Sequence, residues 1–210
     1  MDAALPLSRR EVLGAACGLA ALAAAPSRAL AQNVPGLWSI GRNIRLELRA
    51  EVMAALARHE RRIWSRDVIG VVDYGQPSNV PRFHIVNLLA GTSRSFLVAH
   101  GRGSDPAFEG RLRMFSNMEG SEASSRGAYL IGEAYQGDHG LSRRLIGLDP
   151  TNDNAMDRAI VLHSAPYVGP DVLARQGKLG RSNGCFVVSP ADIDAVLAAL
   201  GRGRLLYAGA

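Results

Sequence analysis

The sequence predicts a mainly β domain: an antiparallel sandwich or barrel-like sheet, led by one N-terminal helix and carrying a short helix after a cysteine motif. Three observations predict it. The apolar segments after residue 66 are short, and turn residues separate them. The chain holds 23 glycines in 210 residues and only 6% aromatics, a balance that suits a loop-rich sheet better than a helical bundle. Helical periodicity is clear in two stretches, one near each end.

Apolar residues make up 47% and charged residues 20%, close to globular averages, which excludes disorder and collagen-like order. The length allows one ordinary domain or two very small ones. The formal charge is +5, and Lys178 is the single lysine among 24 basic residues. These are dispersed, so no nucleic-acid surface is expected. A mildly basic surface still favours an acidic polymer as partner.

Residues 1–31 read as a cleaved export signal. Ser8-Arg9-Arg10-Glu11-Val12-Leu13 precedes an apolar run from Val12 to Ala25, and Ala29-Leu30-Ala31 supplies a cleavage site before Gln32. The run is shorter than the roughly 20 residues a membrane span needs. The paired arginines resemble a twin-arginine signal, with an ordinary secretory signal as the alternative. Cys17 sits inside the run with apolar residues still behind it, which argues against a lipid anchor. Removing residues 1–31 takes three arginines and two acids, leaving +4 on 179 residues. The mature chain is expected to be periplasmic, without a membrane span, monomeric, and to retain a single cysteine, Cys185. An unpaired cysteine in an oxidising compartment points to chemistry.

The first helix is expected over Asn43–Ile63, within a helical segment 32–66. Ile44, Leu48, Val52, Ala55, Leu56, His59 and Ile63 fall near one face. A domain over 67–210 follows. Its expected strands are Val68–Tyr74, Phe83–Leu89, Ser95–His100, Ala128–Glu133, Ala159–His163, Phe186–Ser189 and Arg204–Tyr207. The loops between them, Gly101–Arg111, Ser116–Gly127 and Asp149–Asp157, are rich in Ser, Asn and Gly. Ser189-Pro190-Ala191-Asp192 signals a helix start, with a serine cap and proline at the first helical position. Ile193, Val196, Leu197 and Leu200 continue it to Gly201.

The sharpest local feature is Gly180-Arg181-Ser182-Asn183-Gly184-Cys185. Its small residues permit a tight backbone whose N–H groups converge, a device that stabilises an oxyanion. A thiol needs a base to become a nucleophile. His163, at the end of the apolar run Ala159–Leu162, is the best candidate. A buried cysteine and a core-edge histidine, both inert, remain the alternative at this point. A zinc site from His84, His100, His139 and His163 is disfavoured because no pair has short metal-ligand spacing. Asn152-Asp153-Asn154 reads as a capped turn rather than a calcium loop.

His163-Ser164-Ala165-Pro166, followed 22 residues after the histidine by Ser-x-Gly-Cys, resembles the L,D-transpeptidase (YkuD-like) catalytic domain of bacterial cell-wall enzymes. The resemblance is closest to its second subgroup, the murein L,D-transpeptidase catalytic domain family, where Gly-Arg-Ser precedes the motif as in Gly180-Arg181-Ser182. His100-Gly101, Phe115-Ser116-Asn117, Gly120-Ser121, Ser124-Ser125, Tyr135-Gln136-Gly137-Asp138-His139-Gly140 and Asn152-Asp153-Asn154-Ala155 extend it from Val68 to the end of the chain. The resemblance implies Cys185 as nucleophile, His163 as base, and Ser164 as the residue whose carbonyl orients the imidazole. It implies an oxyanion hole among the backbone N–H groups of Asn183, Gly184 and Cys185. Arg181, Ser182, His100, His139 and Tyr135 are expected to bind substrate. The implied reaction attacks a peptidoglycan stem peptide between diaminopimelate and terminal D-alanine, forms a thioester, and passes the acyl group to an amine. No cofactor or metal is implied. Hydrolysis of the same thioester, acyl transfer to another periplasmic glycan, and a non-catalytic peptidoglycan-binding module are the alternatives.

Two positions depart from the broad family. Asn183 replaces a histidine, and Val187 replaces an arginine two residues after the cysteine. Arg181 is the residue expected to supply the missing charge.

Overall fold

The computed structural model describes Ser39 and residues 41–210, all within one compact unit, Pro35–Ala210. The expected export signal, 1–31, lies outside the described residues. Among the described residues, no helix is long and apolar enough to cross a membrane.

Helix α1 spans Leu46–Arg58, α2 Pro170–Gln176 and α3 Ile193–Ala199. The strands are β1 Val68–Asp73, β2 Phe83–Asn87, β3 Thr92–Phe96, β4 Gly127–Gly137, β5 Gly140–Gly147, β6 Val161–Ser164, β7 Phe186–Val188 and β8 Leu205–Gly209. They form one sheet in the order β3-β2-β1-β8-β4-β5-β6-β7. Two pairs, β1–β8 and β6–β7, are parallel, and the rest are antiparallel. Beyond β3 the chain turns so that Ala99 bridges Val187 of β7. The two ends of the strand order thereby meet, which makes the sheet barrel-like.

Strand alternation splits the buried residues into an inner and an outer set. Val68, Val72, Tyr129, Ile131, Leu206 and Ala208 join the inner core with Phe83 and Phe186. Ile69, Val71, Ala128, Leu130, Leu205 and Tyr207 face the other way and meet Leu48, Val52 and Ala55 of α1. Burial on both faces explains why β1 and β8 read as unbroken apolar runs instead of alternating ones. Polar contacts pin α1 there: Arg45 Nη2 lies 2.8 Å from Asp73 Oδ1, and Tyr207 donates its hydroxyl to Glu51 at 3.0 Å. His59, at the end of α1, contacts Asp149 Oδ1 at 2.8 Å through Nε2.

The structure differs from the sequence expectations at five elements. The first helix is shorter than Asn43–Ile63, although Ile44 and Ile63 remain buried beside it. The third strand begins at Thr92, and Leu97–His100, expected to be part of it, leaves the sheet edge to meet β7. Strand β5 and helix α2 were not expected. The last helix begins at Ile193 because the Ser189 hydroxyl donates to the Asp192 carboxylate at 2.6 Å instead of capping a backbone N–H.

Candidate active site

Strand β6 carries His163 to the barrel's edge, and the loop before β7 delivers Cys185. The register pairs Leu162 with Phe186 and His163 with Val187. Paired residues of parallel strands face the same side, and residues two apart share a face. Cys185, two before Val187, therefore lies on His163's side. Cys185 also packs against the same buried cluster as Val187, the one that includes Ala99 and Ala165.

His163 is 2% exposed. Its Nδ1 lies 2.9 Å from the Ser164 carbonyl oxygen. A carbonyl only accepts, so Nδ1 carries the proton and Nε2 keeps a free lone pair. Burial chiefly lowers its pKa, and the His139 charge adds to that, while the Ser164 hydrogen bond opposes both. His139 sits in the two-residue turn of the β4–β5 hairpin, between paired Gly137 and Gly140. Its ring stacks on His163 with centroids 4.3 Å apart and planes 17° from parallel.

Cys185 is half-buried and is the single free thiol among the described residues. Burial pushes its pKa up, and a Val161 backbone hydrogen bond and the Arg158 charge pull the other way. Its Sγ lies 3.6 Å from the Ala159 carbonyl oxygen.

The Gly180–Cys185 turn is held from both flanks. Ser182 N–H donates to the His100 carbonyl at 2.9 Å, and Arg102 N–H donates to the Ser182 carbonyl at 2.7 Å. The Ser182 hydroxyl donates to the Cys185 carbonyl at 2.8 Å and accepts from Gly184 N–H at 3.2 Å. Gly184 has φ +113°, and a Cβ there would stand 2.8 Å from the Ala123 carbonyl oxygen. Only glycine fits this turn without strain.

Several expected binding residues have other work. Ser182 is buried and shapes the turn. Of the three expected oxyanion donors, Gly184 N–H is engaged by the Ser182 hydroxyl at 3.2 Å, so the amides of Asn183 and Cys185 are the candidate donors. His100, expected to bind substrate, is 1% exposed with both ring nitrogens engaged. Arg82 Nη2 donates to its Nδ1 at 2.7 Å, and its Nε2 reaches Asp105 Oδ2 at 3.3 Å. Burial, with repulsion from Arg82, holds its pKa down to about 4, so the ring is neutral. His100 is thus a buried link between a fully buried arginine and a buried carboxylate. Arg181 donates to the carbonyls of Asp105 and Pro106, and its guanidinium lies over the Phe108 ring at 4.3 Å. Its charge acts on His100, and the charge acting on Cys185 is that of Arg158. Tyr135 lies further along the hairpin beneath the Arg144 guanidinium, 4.6 Å from ring centre to Cζ.

Sequence reasoning missed Arg158. Its Nη1 donates to the Ser116 carbonyl at 2.7 Å and to Ser125 Oγ at 2.6 Å, and its Nη2 to the Ala123 carbonyl at 2.5 Å. Among the described residues, no group of three His, Cys, Asp or Glu is placed to hold a metal ion.

No curated protein matches the chain. Among solved structures it is similar to an L,D-transpeptidase from Mycobacterium tuberculosis H37Rv, at 16% identity and a TM-score of 0.45 over 69% of this chain and 58% of that one. It is similar to L,D-transpeptidase 3 from Mycobacterium tuberculosis at 15% identity and a TM-score of 0.44, over 69% of this chain and 61% of that one. It is also similar to the helical cell shape determining protein Pgp2 from Campylobacter jejuni at 12% identity and a TM-score of 0.43, over 67% of this chain and 46% of that one. The matched part spans less than two thirds of each of those chains. The sequence profile of the L,D-transpeptidase catalytic domain matches residues 42–208. That match takes in α1 and every strand but for Gly209 at the end of β8, and so the chain belongs to the L,D-transpeptidase catalytic domain family.

Proposed function

We propose that the chain is an exported cysteine acyltransferase that acts on peptidoglycan stem peptides as an L,D-transpeptidase. The observation that carries the reading is the His163–Cys185 arrangement. Cys185 directly precedes β7, whose Val187 pairs with His163 of β6, and the imidazole's proton is fixed on the nitrogen that faces the Ser164 carbonyl.

In the proposed cycle, His163 Nε2 takes the Cys185 proton as sulfur attacks the peptide carbonyl carbon. The carbonyl oxygen becomes an oxyanion, met by the amides of Asn183 and Cys185. The C–N bond breaks, the departing D-alanine amine takes the proton from His163, and a thioester remains. An acceptor amine then attacks the thioester, gives up a proton through His163, and the thiol is restored. Both steps balance without an oxidant or a metal.

The test is intact-protein and product mass spectrometry with purified tetrapeptide muropeptides. A thioester adduct and a cross-linked dimer lacking one D-alanine are expected. Cys185→Ala is expected to lose both while unfolding at the same temperature. Normal turnover by that variant overturns the reading. An adduct resolving only to tripeptide would reassign the protein as a carboxypeptidase.

A further inference from the structure

Arg158 is a half-buried cation whose three hydrogen-bond acceptors are all neutral. Among the described residues, no carboxylate pairs with it. Eight other arginines form ion pairs with Asp or Glu or, as with Arg82, reach one through a histidine. A partly desolvated cation without a counter-charge is costly unless a negative charge forms nearby. The guanidinium sits against the nucleophile's turn: a Cβ on Gly184 would lie 3.2 Å from Arg158 Nη2. The same Nη2 holds the Ala123 carbonyl, which in turn closes on Gly184. The thiol that can become an anion is on the next residue.

We propose that Arg158 is a positioning residue for Cys185, fixing the Gly184 turn and supplying the positive charge that the thiolate needs. The inference rests on the acyltransferase reading for its purpose, although its geometry does not. Arg181 does not fill this role, because its guanidinium is turned to the Asp105 and Pro106 carbonyls. Val187 is fully buried and offers no charge from the strand itself. Burial lowers the Arg158 pKa; Tyr129, itself held neutral by burial, and then Cys185 oppose that, the last being the reciprocal of its effect on the thiol. The other titratable groups around the thiol are His163 on β6 with His139 stacked on it, Tyr167 after β6, and Tyr74 after β1. Burial holds both tyrosines up at about 12, so neither is charged near neutrality.

The test is the pH dependence of Cys185 alkylation by iodoacetamide, read on the Cys185 peptide by mass spectrometry. Arg158→Gln is expected to move the midpoint up by about one pH unit, slowing alkylation about tenfold at neutral pH. Arg158→Lys is expected to restore most of that, because the charge is kept. Ser125→Ala, which loosens the guanidinium without removing it, is expected to slow alkylation about threefold. It stands as the deciding variant if Arg158→Gln does not fold. An unshifted midpoint in a folded Arg158→Gln, or in Ser125→Ala when the first is unfolded, overturns the proposal. Alkylation needs no muropeptide, so failure of acyl transfer in the wild-type protein would strike the proposed function and leave this measurement standing.

Discussion

Cys185 and His163 are shifted in opposite senses by the same cause. Burial pushes the thiol up and the imidazole down, so the pair rests uncharged near neutrality. In the proposed cycle the nucleophile would then form by proton transfer during attack instead of waiting as a stable ion pair. His139 acts on this balance through its stacked ring. Removing it in His139→Ala relieves both burial and repulsion, so the His163 pKa rises. The acid limb of the rate of thioester formation is expected to move to higher pH, which a pH–rate profile checks. An unmoved limb would take His139 out of the site. The proposed nucleophile and base stood out in the sequence because their signals are local: a small-residue turn before the cysteine, and a strand end at the histidine. Arg158 was not legible, since its partners stand 33 to 42 residues away and nothing in its own neighbourhood marks it. The burial of His100 between Arg82 and Asp105 was not legible either, because Arg82 comes from just before the start of β2.

The β4–β5 hairpin shows how an element escapes sequence reading. Gly140–Gly147 contains paired arginines and is only partly covered, so it lacks a steady alternation. It is a strand because β4 and β6 flank it, a tertiary reason and not a propensity. Helix α2 is short and opens with Gly169-Pro170, which reads equally well as a turn. Helix α1 was legible because its apolar stripe is long. It packs on the outer face of the sheet, apart from the cluster that holds Cys185. Leu48→Ala is expected to cost about 2–5 kcal/mol of unfolding free energy, from lost burial and the cavity left behind. Denaturant unfolding would measure it, and Cys185 alkylation in the folded protein is expected to be unchanged. A loss below about 1 kcal/mol would mean that α1 is not integral to the fold.

At the scale of the whole molecule, acid sensitivity follows from three buried histidines. His84, His100 and His163 are all held below the ordinary value of 6.5, chiefly by burial. A depressed histidine stabilises the fold above its unfolded pKa, and that contribution is lost as pH falls toward its folded pKa. For His100 the window runs from 6.5 down to about 4. Over it, about 3 kcal/mol of stability is expected to disappear from this group alone. Urea unfolding at several pH values would show the slope, and His100→Gln is expected to flatten it; an unchanged slope would deny the buried relay this role. The mainly β class was legible from strand spacing, whereas strand order and the Ala99–Val187 closure were not, because they depend on which distant segments meet. One such meeting governs how the protein is made. Strand β8 lies between β1 and β4, so the sheet has a gap at its centre until residues 205–209 have left the ribosome. Folding of this unit therefore waits for the end of its translation, and a nascent chain stalled before Leu205 would expose two unpaired strand edges to chaperones and proteases.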